Sequence, residues 1–498
     1  MKRYLNSVFL LFLAVLFGNV VYGQEDAGKT ADWKNLKYGP LHSERRADDA
    51  MEAFRDYGFG QFIHWGLYAI PGNEWEGVSA RKGAAASEWI RAWSGPTKPV
   101  NWTQTYDNLY KQFNPVDFDA KRWARQAKAM GARYLIFTTK HHDGFALWPT
   151  QYSDYNSSNT PFKRDIVKEV VDAYTAEGID VYLYFSVLDW HHPDYQSKNP
   201  ATADEEKKFA NFLNYTRNQL LELLHSYPQL KGFWFDGTWD PSWVNAYDFT
   251  YKLEKEMRNL HPGLIIGSRF RSDEYGKRHF DSNGQLLGDY EQGWERKLPA
   301  DYSILKGNDW DAVMTIPPNG WGYMKDWTGL YTKTKDDLLA MLMRTVSMDG
   351  NFVLNFGPDG KGNMHPGEDK LAKEIGDWMH INSEAVYATH RVSWPTLPYG
   401  YLTRKGDYIY LTVFNRPINE QIRLLVPKVA NERPQAAYLL VDGRELKLAH
   451  ADIGLDRDAN TYYDIQLPSD FQSNEPFVLK VKVGLVEAKE EKLMDAKK

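Results

Sequence analysis

The stretch from Lys231 to Asp240, reading KGFWFDGTWD, decides how the rest of the chain is read. Gly232, Phe233, Trp234 and Phe235 form a short apolar run that stops at Asp236-Gly237, the pattern of a buried strand ending in a carboxylate. Taken alone, Asp-Gly is also a common turn pair. The neighbouring segments give it a larger meaning. In a closed barrel of parallel strands the C-terminal strand ends open into one mouth, and side chains there carry chemistry rather than packing. Asp236 stands at such an end, with Trp234 and Trp239 supplying aromatic surface on either side.

The same unit recurs on both sides of it. Upstream, the spacing predicts a helix near 43–55, a strand within 58–70 carrying His64, and a helix over 118–130 stopped by Gly131. A strand over 134–139 runs into Lys140-His141-His142-Asp143-Gly144. A helix over 165–177 and a strand over 181–186 follow, and the strand leads toward Asp189 and Trp190. A helix over 209–227 precedes the Asp236 strand. Downstream come a helix over 247–260, strands at 264–267, 286–290 and 313–316, a helix over 338–348 and a strand at 352–355. About eight strands alternating with helices predict an α/β fold, a (β/α)8-like TIM barrel. The absence of a glycine-rich nucleotide turn after the first strand argues against an open doubly wound sheet.

From about Val392 the texture changes to short alternating runs separated by turn residues, which predicts a C-terminal antiparallel β-sandwich. Packing against the barrel is its expected role. The expected organisation is a signal peptide at 1–23, a catalytic barrel at 24–390, the sandwich at 391–485 and a charged tail at 486–498. Lys2 and Arg3, the apolar run Val8–Phe17 and the small residues before Gln24 carry the signal-peptide reading. The run is too short to span a membrane comfortably, so cleavage and no membrane anchor in the mature protein are expected. With no cysteine, the chain has neither disulfides nor an N-terminal lipidation site, and a periplasmic or secreted location follows.

The net charge of −6 and the lack of a basic run interleaved with aromatics exclude nucleic acid as an expected partner. Eighteen Trp, 31 Tyr and 24 Phe offer flat surfaces beyond core needs, which suits a carbohydrate ligand. The polar landmarks His64, His141, His142, Asp189, Asp236, Arg269, Asp289, Glu291 and Glu295 all fall at or near predicted strand ends, where a barrel brings them together. His141-His142-Asp143 lacks a partner at firm ligand spacing, so no metal and no cofactor are expected.

The strings FGQFIHWGLYAIP, NEW at 73–75, TKHHDGF within 138–145, YFSVLDW, FWFDG and WGY at 321–323 resemble the α-L-fucosidases of glycoside hydrolase family 29. The likeness covers roughly residues 40 to 385 in the family's order. It implies hydrolysis of α-linked L-fucose on a fucosylated oligosaccharide or glycoconjugate, with retained anomeric configuration and no metal. Carried over by residue, Asp236 matches the nucleophile, and His64, Glu74, His141 and His142 match residues that hold fucose hydroxyls. Trp239 and Trp321 match residues near the C5 methyl group. Tyr184 and Arg269 match, more loosely, a site tyrosine and an arginine beside the nucleophile.

Retention requires one carboxylate to attack the anomeric carbon and one carboxylic acid to protonate the leaving oxygen, with the carboxyl groups ~5 to 5.5 Å apart. The acid is where this chain departs from the resemblance. Residues 288–296 read GDYEQGWER, with one extra residue relative to the family's pattern. Glu295 aligns best, Glu291 is second and Asp311 third. Two other functions stay open on sequence: a related hydrolase for α-D-galactoside-like substrates, and a catalytically inactive sugar-binding protein.

Overall fold

A computed structural model describes residues 36–485, apart from 43, 84–85, 452 and 454–457. The expected signal peptide and charged tail lie outside the described residues. Eight parallel strands form one curled sheet: β1 Phe59–Ile63, β2 Tyr134–Lys140, β3 Asp180–Ser186, β4 Gly232–Asp236, β5 Ile265–Ile266, β6 Glu291–Glu295, β7 Trp310–Met314 and β8 Gly350–Phe356. Their order is β5-β4-β3-β2-β1-β8-β7-β6. Just beyond the ends of the sheet, a parallel bridge joins Gly267 to Tyr290, and the Ser268 N–H donates to the Tyr290 carbonyl at 3.0 Å. That contact closes the sheet into a barrel.

Strand periodicity explains what faces inward. On β4, Phe233 and Phe235 pack outward against the helices, whereas Trp234 belongs to the interior cluster and Asp236, two residues on, shares its face. On β3, Leu183 and Phe185 face out while Tyr182 and Tyr184 face in. The interior is filled by large aromatics opposite glycines. A side chain at Gly60 would meet the Tyr134 ring at 2.5 Å, and one at Gly232 would meet Tyr182 at 2.6 Å. The helix Asp49–Asp56, predicted at 43–55, plugs the far end of the barrel with Met51 and Phe54.

The outer helices start where caps dictate. Asp119 accepts from the Arg122 N–H before the helix Ala120–Met130, and Gly131, at φ 97°, ends it. Thr202 and Glu205 form a capping box for Ala203–Ser226. Two strands differ from expectation. The strand predicted at 286–290 forms instead at Glu291–Glu295, and the one predicted at 313–316 at Trp310–Met314. Between β5 and β6 the chain forms no helix, because residues 268–290 are rich in charged residues and glycine with no helical apolar period. This segment is instead built around Asp273, whose carboxylate accepts the N–H groups of Tyr275, Lys277 and Ser282 and the Ser282 hydroxyl.

Register irregularities aim side chains at the mouth. Along β6, Gln292 pairs with Asp311 but Trp294 pairs with Ala312 and Glu295 with Val313, so one extra residue is inserted at Gly293. Were the same residues paired regularly, Gly293 would face Ala312 and Glu295 would fall opposite Met314, on the outward face. With the insertion Glu295 shares the inward face of Val313, and the extra residue noted in the sequence acquires a purpose. A similar shift on β2 between Thr138 and Lys140 sends Lys140 outward to Asp189 at 3.3 Å and leaves His141 facing in.

The C-terminal strands are β9 His390–Arg391, β10 Gly400–Lys405, β11 Tyr408–Val413, β12 Gln421–Pro427, β13 Glu432–Leu439, β14 Glu445–Ala451, β15 Asn460–Gln466 and β16 Phe477–Leu485. They form an antiparallel eight-stranded sheet in the order β9-β10-β11-β16-β13-β14-β15-β12, wrapped around its own core of Leu411, Ile422, Leu424, Leu439 and Leu479. Strand β14 was not foreseen from sequence; its side chains are mostly exposed, which blurs the alternation. Tyr410 and Val478 join the barrel's apolar cluster, and Trp378 Nε1 donates to the Pro476 carbonyl at 2.8 Å, so the sheet packs on the barrel.

Candidate active site

The C-terminal ends of β1 to β4 and β6 converge on one group of side chains. Asp236 closes β4 with its side chain 15% exposed. Its Oδ2 accepts the Tyr184 hydroxyl at 2.9 Å, and its Oδ1 accepts Arg269 Nη1 at 3.2 Å. The second guanidinium nitrogen, Nη2, is ion-paired with Glu295, whose side chain is 24% exposed. One planar cation therefore holds both carboxylates, each on its own nitrogen. The Arg269 guanidinium lies over the Trp234 ring, 4.9 Å from its centroid, and donates through Nε to the Gln292 carbonyl at 3.0 Å, so it is fixed from below and behind.

Three buried imidazoles stand beside this pair. His64 Nδ1 lies 2.7 Å from Asn355 Oδ1, and because the Asn355 amide nitrogen donates to the Trp321 carbonyl, His64 is the donor in that contact. His142 Nδ1 lies 2.6 Å from Ser186 Oγ, whose own proton goes to the Leu188 carbonyl, so His142 likewise donates there. Both rings thus leave Nε2 as an acceptor, and that of His142 lies 3.6 Å from Asp236 Oδ2. His141 stacks on Tyr184 at 5.3 Å and 7°. Burial is the main cause that holds all three well below the usual histidine range, His64 and His142 at about 3. Neutral rings that accept at one nitrogen and donate at the other suit sugar hydroxyls.

Aromatic rings wall the group. Trp321 packs on His64 at 5.1 Å, and Trp239, 38% exposed at the rim, meets His142 edge-on at 5.5 Å. Trp89 lies parallel to Trp239 at 6.3 Å and meets His142 at 5.2 Å. A nitrogen of each of His141 and His142 and an oxygen of Asp236 lie within 4.8 Å of one another. A cation among them would face the Arg269 charge that already binds Asp236, so the trio fits hydroxyl groups better than a metal ion.

One expected residue lies elsewhere. Glu74 sits on a short hairpin with its side chain 35% exposed, paired with Lys325 at 3.3 Å, and no contact joins it to the histidines among the described residues. The glutamate near the group is Glu88, fully buried on the 3-10 turn Ser87–Ala92, where it accepts the Gly322 N–H at 3.1 Å. It is thereby tied to the residue after Trp321, and burial pushes its carboxyl up to about 7. The sequence holds two Glu-Trp pairs, 74–75 and 88–89, and the resemblance matched the first, within the string NEW at 73–75. The candidate acids also separate. Glu291 opens β6 at the end opposite the mouth, and Asp311 lies deeper in the interior, bonded to Trp234 Nε1 at 3.2 Å. Glu295 alone of the three contacts Arg269 at the rim.

A sequence profile described as Alpha-L-fucosidase matches residues 27–384. A GH29 α-L-fucosidase from Bacteroides thetaiotaomicron is 43% identical, with a TM-score of 0.83, covering 91% of this chain and 98% of that one. A trapped covalent intermediate of a Bacteroides thetaiotaomicron GH29 α-L-fucosidase, also 43% identical with a TM-score of 0.83, covers 90% and 99%. Human tissue α-L-fucosidase is 29% identical over 442 residues, 84% of this chain and 86% of its own length. The barrel, its appended antiparallel sheet and these matches together make the chain a member of the α-L-fucosidase family of glycoside hydrolases, GH29.

Proposed function

We propose that this protein is a retaining exo-glycosidase that removes terminal α-linked L-fucose from glycans, with Asp236 as nucleophile and Glu295 as general acid and base. The observation that carries the reading is the shared guanidinium: Arg269 places two carboxylates from different strands side by side in a pocket lined by neutral imidazoles. His64, His141 and His142 hold the sugar hydroxyls. Trp321 offers an apolar wall for the C5 methyl group, which favours fucose over a galactoside bearing a hydroxymethyl there.

In the first step Asp236 attacks the anomeric carbon while Glu295 gives its proton to the glycosidic oxygen, and the bond to the leaving sugar breaks. A fucosyl ester of Asp236 forms. Asp236 loses its charge as Glu295 gains one, so the total around Arg269 is the same before and after, and the fixed cation needs no rearrangement. In the second step Glu295 takes a proton from water, which attacks the same carbon and releases Asp236. The trapped covalent intermediate of the Bacteroides relative supports this sequence of events.

Export to the periplasm or medium is the reading that Lys2, Arg3 and the apolar run after them support, and N-terminal sequencing of the natural product tests it. Among the described residues, no helix is long and apolar enough to cross a membrane. The activity is tested by parallel assays on aryl α-L-fucoside and aryl α-D-galactoside, with proton NMR of the first-formed sugar. Fucose released as the α-anomer is expected; β-fucose, or faster galactoside cleavage, contradicts the proposal.

A further inference from the structure

Close to Asp236, bonded to the hydroxyl two residues beyond it, stands a second guanidinium that the reaction does not use. Arg278 lies on the β5–β6 connection, held by a bridge to Ser272 and by the hydrogen bonds that gather at Asp273. Its Nη2 donates to the hydroxyl of Thr238, a fully buried residue two positions after Asp236, at 3.1 Å. Its Nε is buried with no hydrogen-bond partner, and no carboxylate lies within ion-pair distance of it among the described residues. The nearby acids are committed elsewhere: Asp236 to Tyr184 and Arg269, and Asp240 to Tyr195.

A half-buried cation without a counter-ion is costly, and the neighbouring Arg269 charge adds to the cost. Burial and that neighbour lower the Arg278 guanidinium to about 10. The connection that holds it is nonetheless firmly built, so its position is set before any ligand arrives. The histidines and Trp321 form the wall offered to fucose, whereas Arg278 is followed by His279, whose ring would stand 4.0 Å from a Cβ at Gly293, two residues before Glu295, the group that protonates the departing sugar. Arg296, next after Glu295, lies over the Trp321 ring and likewise has no carboxylate partner among the described residues.

We propose that Arg278 forms an anion-recognising part of the leaving-group subsite, so that the enzyme prefers fucosides whose adjoining sugars carry a sulfate ester or a carboxylate. This rests on the α-L-fucosidase reading above. A charge-assisted hydrogen bond in such a place corresponds to roughly tenfold or more in kcat/KM.

The test compares a neutral fucosyl-lactosamine trisaccharide with the same sugar bearing one O-sulfate and with the same sugar capped by sialic acid. Wild type is expected to cleave one or both anionic forms about tenfold better than the neutral one. That ratio is expected to fall toward one in Arg278→Gln and to be partly kept in Arg278→Lys. A preference for the sulfated form alone identifies a sulfate site, and for the sialylated form alone a carboxylate site. If Arg278→Gln does not fold, the wild-type ratio at low and high salt decides, because an ionic preference shrinks with screening. Equal cleavage of all three sugars, a ratio that survives Arg278→Gln, or one indifferent to salt overturns the anion site while leaving the hydrolase intact. Failure to cleave even an aryl α-L-fucoside overturns the hydrolase reading instead.

Discussion

Arg269 Nη1 lies 3.2 Å from Oδ1 of Asp236, and the other arm of the same guanidinium binds Glu295. Two acids 59 positions apart in the chain are thus set by one cation that is itself seated on Trp234. In the proposed double displacement this pairing sets both acids, and it dictates what each substitution should do.

Removing the proposed nucleophile, Asp236, is the harshest change. Asp236→Gly should lower kcat on aryl α-L-fucoside by roughly 10³-fold or more, since among the described residues the other carboxylate on Arg269 is Glu295, which the proposed mechanism already uses as the acid. Added azide should restore part of the rate and give the β-fucosyl azide, identified by NMR. Near-normal turnover without azide would exclude Asp236 from the attack.

Glu295→Gln should spare substrates with good leaving groups in the first step and slow those with poor ones by roughly 10² to 10⁴-fold. Azide should again rescue in part. Glu291→Gln, at the opposite end of the same strand, should leave the leaving-group dependence as in wild type. A reversal of these two results would move the acid to Glu291.

Much of this was legible in the sequence. The apolar run Phe233-Trp234-Phe235 stopping at Asp236-Gly237 marked β4 and placed Asp236 at the mouth, and the helical spacing that ends at Gly131 marked the helix before β2. What stayed hidden depends on contacts far apart in the chain. The position of β6 escaped because its register is set by pairing with β7 and by a bulge, neither of which local pattern reveals. Glu88 escaped because its partner Gly322 lies 234 residues away, and a second Glu-Trp pair offered a plausible local substitute.

Replacing Glu88 with Ala should therefore lower kcat/KM on aryl fucoside by about tenfold or more, through loss of the acceptor that holds the Gly322 N–H beside Trp321. Glu74→Ala, which loses only a partly exposed pair with Lys325, should change it by less than about twofold. Kinetics on both variants settle which glutamate belongs to the site.

Asp311 should reveal itself through pH. Burial raises its carboxyl to about 8, above the ordinary value, so the folded protein keeps a proton that the unfolded chain has released. Its contribution to stability is present at low pH and is lost as pH rises through about 8. Asp311→Asn, which can still accept from Trp234 Nε1, should remove that loss. Its Tm relative to wild type should climb by a few degrees between pH 6 and 9. A constant difference across that range would mean that Asp311 is ionised in the folded state.

The identity of the attacking residue is best read by mass. Incubation with a fluorinated fucosyl fluoride, followed by proteolysis and tandem mass spectrometry, should place one fluorofucosyl group on Asp236, and Glu295→Gln should let that adduct accumulate. An adduct on another side chain, or prompt release of β-configured sugar with no adduct in either protein, would contradict the paired-carboxylate mechanism.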